Sequence, residues 1–255
     1  MRRECELKYR TNDNGYDLLK QKLPALGFSL GKDIVETDFI FDTEDRLCRN
    51  LGILFRIRIE SDCKKYLSRI LVTVKNKKRN RITNNKNINS PEIPFQDNIE
   101  MEFDIYNADV KEVTLCIDCL KNATGCILLR DDFINQSLFR LIHNLYVKGF
   151  VHLEIMQKKR VYYNWNNINI CLDSFPEQQG KFIEIEAYNE TNLYDTVDLL
   201  GLSHDNLESR NYGEIILENS GGRCFFHEKI IYDSSKNTFI SVDEILNAIV
   251  TGREK

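Results

Sequence analysis

The sequence predicts an α+β fold: a sheet with one charged and one apolar face and helices over the apolar one, either flat with its charges in water or closed so that the charges line a lumen. Three observations predict it. The first strand, Glu4-Cys5-Glu6-Leu7-Lys8, alternates. Successive strand side chains point to opposite faces, so Glu4, Glu6 and Lys8 share one side and Cys5, Leu7 and Tyr9 the other. The same alternation returns at Arg56 and Arg58, Glu100 and Glu102, Lys158 and Arg160, and Glu184 and Glu186. Between these strands run segments of helical period whose apolar stripes can cover the apolar faces.

In chain order, Asp13-Asn14-Gly15 reads as a turn. Leu18, Leu19, Leu23 and Leu26 then mark a helix that Pro24 kinks or shortens and Gly27 closes. Thr37 to Asp42 is a strand broken by Thr43-Glu44-Asp45-Arg46. Gly52 precedes a strand over Ile53 to Glu60, and Ile70 to Lys75 forms the next. The Asn-rich stretch from Asn76 to Asn98 reads as a long polar loop. Glu100 to Ile105 is a strand, followed by helices over Asp109–Asn122 and Asp131–Lys148, the second carrying His143 as a packed or surface residue. Val151–Tyr163 and Ile168–Asp173 are strands joined by an Asn166-Asn167 turn. Lys181–Ala187 is a strand, Leu193–Leu200 a helix, and Ser209–Leu217 a helix or strand with Tyr212 near its start. Residues 1–217 thus form the main domain. Residues 218–255 form an extension, a strand or hairpin plus a helix over Val242–Val250 with capping-box spacing at Ser241 to Glu244, packed on that domain.

With 255 residues the chain can bury a large core without disulfide or metal staples. A net charge of −4 gives no global field for DNA or a membrane. No apolar run approaches the roughly 20 residues that span a bilayer, and no signal peptide precedes the charged first strand, so the expected compartment is cytoplasmic. Cys116-x-x-Cys119 with Cys126 has a zinc-like look. Its helical setting and the lack of a second pair favour free thiols in apolar surroundings.

The charged faces collect into two sets. The acidic one is Glu4, Glu6, Glu100, Glu102, Asp173, Glu184 and Glu186; the basic one is Lys8, Arg56, Arg58, Lys75, Lys158 and Arg160. Inside a lumen each must be paired, metal-bound or ligand-bound, since an uncompensated buried ion is penalised by several kcal/mol, on the order of 3–5. Arginine and lysine bind phosphate oxygens directly. Carboxylates repel phosphate unless a divalent cation stands between them, and paired carboxylates suit Mg²⁺ or Mn²⁺. By this chemistry the acidic set is a candidate metal site and the basic set a candidate phosphate site. Glu4, Glu6 and Lys8 are the candidate catalytic residues.

These residues resemble the CYTH, or triphosphate tunnel metalloenzyme, superfamily. The likeness runs in order through Glu4-x-Glu6-x-Lys8, Thr37 to Thr43, Arg56-x-Arg58, Thr73-x-Lys75, Glu100-x-Glu102, Lys158-Lys159-Arg160, Leu172-Asp173 and Gly180 to Glu186. The resemblance implies an eight-stranded antiparallel barrel with helices outside. It also implies basic positions that bind a triphosphate and acidic positions that bind one or two metal ions. Departures are Glu44 where proline is usual, Ile40 where tyrosine is common, Asn98 where many members have arginine, and Asn211 where serine is frequent.

Three functions fit. In a triphosphatase, water attacks the terminal phosphorus of a nucleoside, thiamine or inorganic triphosphate. In a class IV adenylyl cyclase, the ribose 3′-hydroxyl of ATP attacks the α-phosphorus and pyrophosphate leaves. The third is a non-catalytic nucleotide- or polyphosphate-binding module, which has little need of paired carboxylates. Hydrolysis is preferred because water requires less specific positioning than a ribose hydroxyl. The expected partner is ATP, thiamine triphosphate or tripolyphosphate, bound by a monomer or homodimer.

Overall fold

The computed structural model describes residues 2–62, 67–78, 96–175, 180–219, 231–233 and 238–240. Its centre is a closed ring of β1 (Arg2–Thr11), β2 (Ser29–Thr43), β3 (Ile53–Asp62), β4 (Leu67–Lys78), β5 (Gln96–Asp104), β6 (Phe150–Trp165), β7 (Ile168–Ser174) and β8 (Lys181–Ala187). The order around the ring is β1-β5-β4-β3-β2-β6-β7-β8, and every neighbouring pair is antiparallel. The α+β barrel that the family resemblance implies is therefore present, and of the two sheets the alternation allows it is the closed one, with the acidic and basic faces inside.

Two apolar shells surround it. The helices α3 (Val110–Thr124) and α4 (Leu138–Val147) lie over one half. There Val113, Cys116, Leu120, Leu141 and Leu145 pack on outward residues of β2 to β5 such as Phe39, Phe55, Val72 and Phe103. Over the other half, α1 (Asp13–Ala25) and α5 (Glu190–Leu200) set Leu19, Leu23, Leu193 and Val197 against Leu7, Ile170, Ile183 and Ile185. Each fully buried apolar side chain of this size contributes about 1.5–3 kcal/mol. The burial fixes strand register, because a one-residue slip would turn the whole charged face outward.

Several local expectations are corrected. Asp13-Asn14-Gly15 is the first turn of α1, since Asn12 Oδ1 accepts from the Gly15 N–H at 2.8 Å and caps the helix. Pro24 sits in the last turn of that helix. The segment Asp131–Lys148 is divided. A 3-10 turn over Arg130–Asp132 is followed by Asn135 at φ 54, and α4 starts only after Ser137, whose hydroxyl accepts from Arg140 N–H. A short α2 (Leu47–Asn50) follows β2, organised by Asp42. The Asp42 carboxylate is buried and accepts from the N–H groups of Thr43, Cys48 and Arg49 at 2.8–3.0 Å. β2 begins eight residues earlier than Thr37, at Ser29.

Ser209–Leu217 resolves as α6 (Tyr212–Asn219). Short strands β9 (Ile231–Asp233) and β10 (Thr238–Ile240) pair antiparallel. Most of the expected loop, 79–95, and the expected helix Val242–Val250 lie outside the described residues. No helix among the described residues is long and apolar enough to cross a membrane.

Candidate active site: the charged tunnel

The barrel encloses a cavity of about 1080 Å³. Glu4, Glu6, Lys8, Arg56, Arg58, Lys75, Glu100, Glu102, Lys158, Arg160, Glu184 and Glu186 all line it. They converge because each occupies an inward position of a strand whose alternate residues are held in the outer shells. Register sets the neighbours: Lys75 faces Glu100 across β4 and β5, Lys8 faces Glu184 across β1 and β8, and Arg56 faces Thr73. Asp173, placed with the acidic set, stands behind this surface. It is fully buried, and its carboxylate accepts from Arg160 Nε at 2.6 Å, Lys158 Nζ at 2.9 Å and the Tyr212 hydroxyl at 2.7 Å.

On the β2–β3 wall, Arg58 forks onto Asp38 at 2.6 and 2.8 Å, Arg56 reaches Asp38 at 3.2 Å, and Arg58 lies 3.0 Å from Glu36. Tyr162 donates to Glu36 at 2.5 Å. Burial would lift both carboxyls. The cations beside them overcome it, holding Glu36 at about 2, chiefly through Arg58, and Asp38 far below the usual range, chiefly through Arg56. On the β1–β4–β5 wall, Lys75 Nζ bridges Glu4 at 3.2 Å and Glu6 at 2.7 Å, Thr73 donates to Glu102 at 2.9 Å, and Arg56 stands 3.5 Å from Glu100. At another part of the lining, Glu60 receives Arg69 in a two-point contact and Lys32, each at 3.0 Å.

The balance of charge is uneven. Burial, then Glu186 beside it, lifts Glu4 to about 9 against the pull of Lys75. Burial and Glu184 raise Glu186; burial and Glu100 raise Glu102. Lys8 is shifted down, first by burial, although Glu184 and Glu6 oppose the shift. Carboxylates crowded beyond the supply of internal cations are a donor set that a hard divalent cation would relieve. Glu4, Glu102 and Glu186 thus fit such an ion by charge and by oxygen chemistry. Among the described residues no three acidic, histidine or cysteine groups are gathered into a ready-made metal cage, because Lys75 and the arginines draw the carboxylates into ion pairs.

The sequence reading missed Glu36, Asp38, Glu60, Arg69, Tyr162 and the part played by Tyr212. Glu36 and Asp38 carry the same alternation as the recognised pairs. Glu36 fell one residue before the strand read from Thr37, whereas β2 starts at Ser29 and runs through an irregular register between Leu30 and Asp33; Asp38 lay within that strand but has no like-charged residue two places on to mark its face. Tyr212 reaches the tunnel only through α6. Lys8 Nζ lies 4.1 Å and Lys158 Nζ 4.7 Å from its ring centre, and Lys8 also donates to Arg210 O at 2.9 Å.

The family model of the CYTH domain matches residues 2–193. The chain belongs to the CYTH domain family. CYTH domains make up the triphosphate tunnel metalloenzyme superfamily, a family of triphosphate-acting enzymes, usually triphosphatases or adenylyl cyclases. The family typically depends on metal ions and binds triphosphate substrates.

Solved structures agree with the CYTH fold. One, from Vibrio parahaemolyticus, is named as a candidate adenylate cyclase. It is 18% identical, with 84% of this chain and 98% of that one covered and a TM-score of 0.52. Two proteins of Pyrococcus horikoshii OT3 are 19% and 20% identical, with TM-scores of 0.54 and 0.50. They cover 84% and 83% of this CYTH chain and 98% of their own. No curated protein matches the chain.

Proposed function

We propose that this CYTH domain is a divalent-metal-dependent triphosphatase that releases the terminal phosphate of a nucleoside, thiamine or inorganic triphosphate. The observation that carries the reading is the meeting, in one cavity, of Lys8, Arg56, Arg58, Lys75, Lys158 and Arg160 with an excess of carboxylates. The basic side chains present forked and point-charge donors to phosphate oxygens. Asp38 and Asp173 set the planes and positions of those donors in advance. In this reading Asp173 is a positioning group for Lys158 and Arg160, since its oxygens are already taken by three donors.

Glu4, Glu6, Glu100, Glu102, Glu184 and Glu186 would hold one or two Mg²⁺ or Mn²⁺ ions. A bound ion would offset phosphate charge and favour deprotonation of water. The arginines and lysines fix the phosphorus for in-line attack, and the closed wall limits bulk water. Lys8, next to the Tyr212 ring, would carry charge developing on the phosphoryl oxygens.

One observation favours a cyclase as the second reading. Ile40, Leu54, Met156 and Tyr212 add apolar surface to the lining, where a base could rest. The two are separated by incubating the protein with tripolyphosphate, thiamine triphosphate and ATP, with Mg²⁺ and then Mn²⁺, and resolving the products by chromatography. Orthophosphate release is the expected result. Cyclic AMP with pyrophosphate would establish the cyclase, and binding without turnover would establish a binding module.

A further inference from the structure

Asn98, on β5, is fully buried and lines the tunnel. Its Cα partner across the ladder is Glu4 of β1. Directly opposed residues of an antiparallel pair hold their Cβ atoms about 4.5–5.5 Å apart on one face, so the amide and the Glu4 carboxylate are immediate neighbours. Asn98 Nδ2 donates to Glu6 Oε2 at 3.2 Å. That bond orients the amide, because the flipped group would set Oδ1 lone pairs against the Glu6 carboxylate. The Oδ1 atom is then left with no hydrogen-bond partner among the described residues.

A buried carbonyl oxygen without a donor carries a desolvation cost that a partner must relieve. The neighbours decide what partner. Next to Glu4 and Glu6, a phosphate oxygen would be repelled by the carboxylates and by Oδ1 alike. A cation is attracted by all of them, and it would take the place of the Lys75 ammonium that bridges the two carboxylates at 3.2 and 2.7 Å. A neutral amide oxygen beside two carboxylates is a hard, all-oxygen donor group of the kind that Mg²⁺, Mn²⁺ and Ca²⁺ take.

We infer that Asn98 Oδ1 is a ligand of the divalent cation held by the Glu4–Glu6 strand, adding a neutral oxygen to its carboxylates. The inference rests on the metal-dependent reading of the tunnel. It explains why an asparagine, with a donor for Glu6 and an acceptor left over, suits a position that a purely apolar residue would fill without an orphaned atom.

The test reads binding, not turnover. Mn²⁺ is titrated calorimetrically into the full-length protein and into Asn98→Ala, Asn98→Asp and Asn98→Cys, with urea unfolding of each as a check on the fold. The Ala variant is expected to bind Mn²⁺ about 10–100-fold more weakly. The Asp variant, of the same shape, is expected to bind at least as tightly as the parent. In the Cys variant a soft sulfur replaces oxygen, so Cd²⁺ should give a thiolate-to-metal absorption band beyond that of the parent's own cysteines. If the Ala variant does not fold, the Asp and Cys variants carry the test. A parent that binds Mn²⁺ alongside an Ala variant of equal affinity, or a Cys variant without the extra band, overturns the role of Asn98 alone. A parent that binds no Mn²⁺ overturns it together with the metal reading.

Discussion

The hydroxyl of Tyr212 donates to Oδ2 of Asp173 at 2.7 Å, tying the first residue of α6 to the wall of the barrel. The ring packs on Phe175 and Phe182, at 4.7 and 5.3 Å between centres, and stands beside the amines of Lys8 and Lys158. Tyr212→Phe should lose about 1.5–3 kcal/mol, the range for a hydrogen bond to a charged group. Tyr212→Ala should lose more, because the aromatic packing goes as well. Urea denaturation checks both. A Phe variant as stable as the parent would show that the Asp173 bond contributes nothing.

Asp38 holds both arginines of β3. Asp38→Asn leaves the guanidinium of Arg58, itself nearly buried, without its fork. Breaking a buried pair from one side is expected to cost about 3–5 kcal/mol, read as a fall in the denaturation midpoint at unchanged slope.

Arg56 faces the cavity and contacts Asp38 and Glu100. Arg56→Ala should raise KM for the triphosphate by about tenfold or more, the equivalent of one charge-assisted hydrogen bond of roughly 1.5–3 kcal/mol. An unchanged KM would remove Arg56 from the substrate site.

Glu208 is pulled down to about 2, first by its hydrogen bond from Arg210, and Arg10 adds a second contact at 3.3 Å. A carboxyl whose folded pKa lies below its unfolded value stabilises the fold fully above the unfolded value, about 4.3, and loses that contribution as pH falls toward 2. Both arginines are two-fifths exposed, so solvent screening reduces the contribution to the order of 1 kcal/mol. The stability gap between the parent and Glu208→Gln should be constant above about pH 5 and shrink below about pH 4. A gap independent of pH would refute the assignment.

Burial pushes the thiols of Cys48 and Cys116 up to about 12. Neither should react with iodoacetamide at pH 8 in the folded protein, and both should react in urea, as read by peptide mass spectrometry. Labelling of native Cys116 would show that α3 opens readily.

Some of this was written in the sequence and some was not. Charge at every second residue specifies which side of β1, β3, β5 and β8 faces inward, and that pattern survives in one dimension because the strand repeat is local. Asn12 as a cap, by contrast, was masked by a tripeptide that equally suits a turn. Asp42 was invisible as an organiser, since its three N–H donors are supplied by a bend that forms only around it.

The sequence by itself determined the barrel's inward charges, the helices laid outside and the family. The tertiary structure alone decided how those charges are paired. Asp173 holds two cations and Tyr212, Lys75 bridges Glu4 and Glu6, and Asn98 is set opposite Glu4. The physical reason is distance along the chain. Alternation acts between residues two apart, whereas Lys75 meets Glu4 across 71 positions and Tyr212 meets Asp173 across 39, contacts set only by ring closure and by where α6 returns.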